Sequence, residues 1–110
     1  MIAFGTSITE PDIYRRCAER GFERVKEPDS VVIPHAAAGS IHRSYNLLLD
    51  KAAEQENLEA FVLAHQDAEI VEPRFCDVLR EALSDPDVGV VGCVGAIGVR
   101  SIAWWEGSVT

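Results

Sequence analysis

Basic side chains are in short supply in this chain: ten Lys and Arg stand against eighteen Asp and Glu, for a net charge of −8. That balance argues against a nucleic-acid backbone or an anionic membrane as the main partner, so a phosphate ligand has to be held by local groups. Long apolar runs are missing too. No segment reaches the roughly 20 residues of a membrane-spanning helix, and the N-terminus lacks a basic stretch followed by an apolar one. Neither a span nor a signal peptide is expected, and the reading is a cytoplasmic protein. Cysteine is sparse: Cys17, Cys76 and Cys93 are odd in number, far apart and set among apolar neighbours. This excludes a disulfide framework and any zinc spacing, and predicts free, buried thiols. Repeats and low-complexity tracts are absent.

What is present fits one domain over residues 1–110, since a chain this long, 47% of it hydrophobic, can bury a modest core unaided. Four apolar runs alternate with three helical patterns. Ile2 to Ile8 reads as a first strand. Thr9 then caps a helix whose first turn carries Glu10, Pro11 and Asp12, with Ile13, Cys17 and Phe22 on one side and an end near Gly21. Ser30 to Pro34 reads as a second strand. Ile41, Tyr45, Leu48, Leu49, Ala52 and Ala53 repeat at the spacing of one buried helical face, with Ser40 as N-cap. The third strand is Phe61 to Ala64. A third helix starting near Pro73 is expected to bury Phe75, Val78, Leu79, Ala82 and Leu83, and the glycine-laced run VGVVGCVGAIGV is expected to form a central fourth strand.

Strands separated by helices of this length cannot form tight hairpins, and their apolar runs are continuous rather than alternating. Both features predict an α/β fold: a mainly parallel sheet of about four strands with helices on both faces. In such sheets ligands bind beyond the carboxyl ends of the strands. Three loops meet that condition, with candidate ligand contacts at Thr6, Ser7 and Glu10 after the first strand, His35 after the second, and His65 and Asp67 after the third.

Asp67 is the leading candidate, because a carboxylate at the end of a buried strand needs a cation or several donors to offset desolvation. The alternative is that Asp67 and Glu69 simply begin a solvated loop. His65 can ligate a divalent metal or donate to a phosphate, and equally can be a satisfied structural histidine. Mg2+ or Mn2+ held by one or two carboxylates plus substrate phosphates suits this chemistry, and the expected site fills only when a diphosphate brings its cation. Gly39 and Ser40 open a helix whose first turns carry His42, Arg43 and Asn46. Arg43 can clamp a phosphate, whereas a plain solvated surface is the ordinary reading of these positions. Trp104 and Trp105 can stack on a sugar or base, or pack into an interface. Glu106 is a candidate general base if it faces the crevice.

Taken together, GSIHRSYNLLLDKA followed by FVLAHQDAEI resembles glycosyltransferase-like proteins related to a streptomycin-biosynthesis protein, which stand beside the family 2 glycosyltransferases of the GT-A fold. The shared marks are the pair Tyr45 and Asn46, Ala52 and Ala53 near the helix end, and His65, Gln66 and Asp67 as a His-x-Asp variant of the Asp-x-Asp signature. The likeness runs from residue 2 to about residue 107 and takes in VGVVGCVGA and WWEG.

The resemblance implies a GT-A or Rossmann-like nucleotide-diphospho-sugar fold, a nucleotide-sugar donor and an acceptor it does not name. It makes Asp67 the ligand of the metal bridging the diphosphate, with His65 in place of the first aspartate. Sugar transfer would then proceed by attack of an acceptor hydroxyl while the metal stabilises the departing diphosphate. Two departures stand out. The second strand ends in Pro34 and His35 rather than in the acidic residue that commonly reads the base. Family members also usually continue into a region that supplies the base and acceptor site, so the chain is expected to be a fragment, a reduced relative or a domain completed by another chain. The competing readings are a non-catalytic module that keeps the fold and forms a homodimer through an open edge, and a flavodoxin-like regulatory or hydrolytic domain.

Overall fold

The computed structural model describes residues 1–93 together with the backbone of residues 96–97 and 108–109. By contacts the chain divides into two units, Met1–Leu79 and Arg80–Thr110. The first holds a three-stranded parallel sheet in the order β2-β1-β3, formed by β1 (Ile2–Ile8), β2 (Val31–Ala36) and β3 (Ala60–Leu63). The expected α/β class and parallel pairing are therefore present, with three strands in that sheet.

The run expected to form a fourth, central strand does something else. Residues 88–93 carry no strand pairing, with Val90 90% exposed. Of the same run, β4 (Ala96–Ile97) pairs antiparallel with β5 (Ser108–Val109) in a separate two-stranded sheet. Glycines at 89 and 92 weaken strand formation there, since each raises the entropy lost on ordering and offers nothing to pack.

β1 is the central strand and is buried along nearly its whole length, as a parallel strand covered on both faces must be. Its even-numbered side chains and those of the opposite parity face different layers. Ile2 and Phe4 join Tyr14, Ala18, Phe22, Val25 and Cys76 in one apolar cluster. Gly5 faces the other layer, where an added Cβ would lie 2.5 Å from Phe61 Cζ and 3.3 Å from Leu48 Cδ2. Ile33, Leu48 and Ala52 form the core of that second layer. Just past β2 the Ala37 N–H donates to the Ile8 carbonyl at 2.9 Å. By the parallel ladder this turns the odd-numbered amides of β2 inward and puts Pro34, which has no N–H, on the outer edge where a proline is tolerated.

The helix after β1 is longer than its sequence suggests. It comprises α1 (Pro11–Tyr14), a π-helical turn (Arg15–Glu19) and α2 (Arg20–Val25), so it passes through Gly21 instead of ending there. The buried stripe is Tyr14, Ala18 and Phe22, whereas Ile13 and Cys17 are only half-buried. Gly21 is required by packing, because a Cβ there would meet the Ile70 backbone nitrogen at 2.5 Å.

α3 (Ile41–Ala53) matches its predicted span, and Ser40 caps it by accepting the Arg43 N–H at 3.2 Å. Its buried stripe is Ser44, Leu48 and Ala52, whereas Ile41 and Leu49 are 46% and 50% exposed and Ala53 is exposed. In α4 (Phe75–Ala82) Cys76 is the buried residue, with its thiol donating to the Val25 carbonyl at 3.3 Å. Val78 and Ala82, expected inside, are exposed. Of the three thiols Cys76 is buried, Cys17 half-buried and Cys93 exposed, which corrects the expectation of three buried groups. No helix among the described residues is long and apolar enough to cross a membrane.

Candidate functional site

The carboxyl ends of β1, β2 and β3 lie side by side in register, Ser7 beside His35 and Gly5 beside both Ile33 and Leu63. β3 runs into a tight turn, closed by the Ala68 N–H donating to the His65 carbonyl at 3.1 Å. Strand alternation divides the residues of this turn between the two layers. Phe61 and Leu63 pack with Leu48 on the α3 side, and His65 continues that side. Its ring lies 6.2 Å from the Tyr45 ring, tilted by 60°. Gln66 continues the opposite side and reaches back to the β1–α1 loop.

Gln66 makes a three-bond clamp. Its Oε1 accepts the Thr9 and Glu10 amides, each at 3.0 Å, and its Nε2 donates to Thr9 Oγ1 at 2.8 Å. Thr9 is thus not the side-chain cap of α1; its hydroxyl is engaged by Gln66. The Gln66 carbonyl also accepts the Ala18 N–H at 3.3 Å, from within the π turn. Downstream, Glu69 is bound by Arg24 at 2.7 Å and Arg20 at 3.4 Å, and Arg24 also donates to the Ile70 carbonyl at 2.7 Å. Glu69 is therefore a structural ion-pair partner.

Asp67 lies between these anchors, exposed, and no described hydrogen bond or ion pair holds its carboxylate. Its charge is felt by Tyr45, whose phenol is pushed above its ordinary value first by burial and then by the nearby Asp67 carboxylate. Tyr45 thus stays a neutral hydroxyl donor beside an anionic group. Tyr45 links His65 and Asp67: its ring stands beside the His65 imidazole, and its phenol feels the Asp67 charge. In the sequence Tyr45 is legible only as a buried helix position and a mark of the resemblance, and Gln66 only as the middle letter of the motif.

The remaining candidates divide. Ser7 is buried on the α3 side of β1. Thr6 faces the other layer with no exposed surface, and its Oγ1 is sealed without a partner, so it does not reach a ligand at the edge. His35 is half-buried; its Nδ1 lies 3.4 Å from Lys51 Nζ and its Nε2 is buried without a partner. An ammonium can only donate, so Nδ1 accepts and the ring proton belongs on Nε2. The Nε2 side of the ring is therefore closed to solvent. Arg43 and Asn46 are exposed, and helical spacing sets both on the side of α3 away from Ser44, Leu48 and Ala52. The Ser44 hydroxyl accepts the Ala38 N–H at 3.0 Å and ties the β2–α3 loop to the helix. Glu10 is exposed, with its amide held by Gln66. Glu106, Trp104 and Trp105 lie outside the described residues.

The donor set can be weighed against a cation. Among the described residues no three His, Cys, Asp or Glu side chains come together, so the set does not suit a resident metal. One exposed carboxylate beside an exposed imidazole does suit a divalent ion that arrives with phosphate oxygens and waters as its other ligands.

Fold and site together define an α/β domain with polar side chains gathered at the carboxyl edge of its parallel sheet. Its sequence is 30% identical over 106 residues to the streptomycin biosynthesis protein StrF of Streptomyces griseus, a match taking in 96% of this chain and 37% of that protein. The chain thus spans little more than a third of the length of the curated relative it matches. No protein-family model matches the chain. No solved structure matches it either.

Proposed function

We propose that this chain is the donor-binding portion of a glycosyltransferase-like protein, which takes a nucleoside-diphosphate sugar together with Mn2+ or Mg2+ at Asp67 and His65. The observation that carries this reading is the exposed, unpaired Asp67 carboxylate at the end of a strand, with the His65 imidazole and the Tyr45 phenol on the same side. A carboxylate left without a protein cation is available to a metal-bound diphosphate. The likeness to a streptomycin biosynthesis protein supports a biosynthetic role, and the resemblance to GT-A family 2 proteins supports the reaction class.

Once bound, the ion supplies electrostatic stabilisation of the negative charge that develops on the leaving diphosphate. Asp67 would hold that ion, and His65 would bind it or a phosphate oxygen. Tyr45 donates its phenolic proton in a hydrogen bond to the same phosphate. Glu106 is the candidate general base for the acceptor hydroxyl.

Titration calorimetry with UDP, GDP and dTDP in the presence of Mn2+ tests the reading on the parent chain and on Asp67→Ala. Binding by the parent and its loss in the variant are expected; equal binding by both contradicts it. A second reading, a binding module that self-associates, draws on Ile41 and Leu49, which are about half exposed on α3. A clean monomer at high concentration in sedimentation contradicts that alternative.

A further inference from the structure

The geometry points to Gln66 as the positioning residue of this site, the group that fixes where His65 and Asp67 stand and ties their placement to the β1–α1 loop. The inference deepens the donor-binding reading and rests on it for the identity of the ligand.

His65 and Asp67 have no described anchors of their own apart from the turn they belong to, whereas the residue between them is held at four points. Three are made by its side chain to Thr9 and Glu10, 57 and 56 residues away in sequence. The fourth joins its carbonyl to the Ala18 N–H in the π turn. A π-helical turn departs from the regular helical hydrogen-bond ladder, and here an amide within it is directed at the turn after β3. Three of the four hydrogen-bonding positions of the Gln66 amide serve this geometry: one oxygen with two lone pairs receives two N–H groups, and one of the two N–H donors meets a hydroxyl.

An alternating chain that buries Gln66 on the α1 side must send His65 toward α3, where Tyr45 waits. Releasing Gln66 removes the constraint that selects this alternation at the strand end. The turn between Ala64 and Glu69 then keeps its backbone bonds, Ala18 N–H to the Gln66 carbonyl and Ala68 N–H to the His65 carbonyl, and its flanks, the β3 ladder and the Arg24 ion pair, but loses its side-chain tie to the β1–α1 loop. Gln66 itself touches no ligand; it acts through its two neighbours.

The test compares the 110-residue parent with Gln66→Ala and Gln66→Glu. The glutamate variant keeps two acceptor positions for the Thr9 and Glu10 amides and lets the Thr9 hydroxyl donate to it, so it guards against simple misfolding. Two readouts are taken: nuclear magnetic resonance of the His65 and Tyr45 rings, with Leu48 methyls as reference, and calorimetry with UDP and Mn2+. In Gln66→Ala the His65 and Tyr45 ring resonances are expected to shift while those of Leu48 stay, and the Kd to rise about tenfold or more. Gln66→Glu is expected to restore both toward the parent. Lower stability with unmoved ring resonances overturns the assignment, because a merely stabilising residue behaves in that way. Binding in Gln66→Ala equal to the parent's also overturns it. If the parent binds no nucleoside diphosphate, the donor-binding reading falls by itself, and the ring resonances alone decide the role of Gln66.

Discussion

Phe4, Tyr14, Ala18 and Phe22 close one face of the parallel sheet with apolar side chains. On the α3 face, apolar contact centred on Leu48 gives way toward the carboxyl edge to Ser7, Ser44, Tyr45, His35 and His65. The first face is tied together across sequence by Gln66 with Thr9 and Glu10, and by Glu69 with Arg24. The second presents an unpaired Asp67 and a half-buried phenol. One face therefore holds the turn after β3 in place, and the other is where that turn presents its chemistry.

Truncating a residue on each face gives the sharpest contrast. Phe22→Ala is expected to cost about 3–5 kcal/mol of unfolding free energy, as large aromatic truncations in a closed core do. Leu49→Ala, at a half-exposed position on α3, should cost about 1 kcal/mol or less. Denaturant unfolding measures both, and similar losses would contradict the difference in burial between the two positions.

Gly21→Ala probes the seam between α2 and the loop after β3. Its Cβ would stand 2.5 Å from a backbone nitrogen that cannot rotate away, so a loss of about 1–3 kcal/mol is expected in the same assay. A neutral result would mean the seam is looser than its geometry.

Thr6→Val should act in the other direction. It removes a buried hydroxyl with no described partner, and a gain of up to about 1 kcal/mol is expected with nucleotide binding unchanged. Weaker binding in this variant would make Thr6 a ligand contact after all.

The smallest effect lies in alkaline solution. Tyr14 and Tyr45 both have phenols raised above their ordinary value, Tyr14 by burial and then by Glu19 and Glu23, Tyr45 by burial and then by Asp67. A folded value above the unfolded one means that their contribution is fully present below the ordinary phenol range and is lost as pH rises through the folded value. Stability is thus expected to fall in that alkaline window. Asp67→Asn should move the phenolate absorbance titration of Tyr45 downward while leaving that of Tyr14 unchanged; no movement would separate Tyr45 from Asp67.

These contrasts also show where the sequence can be read. The unbroken apolar run of β1, the spacing of Leu48 and Ala52 and the Ser40 cap each encode a local preference, and each appears in the structure. Ile13 with Cys17 and Tyr14 with Ala18 share the same four-residue spacing, so spacing alone does not choose between the two stripes, and the structure buries the second. The apolar but glycine-rich stretch around Val90 has the composition of a strand, yet residues 88–93 carry no strand pairing among the described residues. At the site, Asp67 and His65 are visible as polar groups ending an apolar run, and Tyr45 as part of a helical stripe. The role of Gln66 leaves no trace, because it depends on amides more than fifty residues earlier and no periodicity records such a pairing. Arg43 and Asn46 share a helix with Tyr45, but a rotation of one residue carries a side chain through about 100°, enough to take Asn46 away from the sheet.

Calorimetric titration of UDP, GDP and dTDP with Mn2+ into the parent chain and into Asp67→Ala tests the central claim most directly. At least one nucleoside diphosphate should bind the parent in a metal-dependent way, and the alanine variant should lose about tenfold or more in affinity. Binding that is indifferent to the loss of the Asp67 carboxylate, or no binding by the parent at all, would contradict the account.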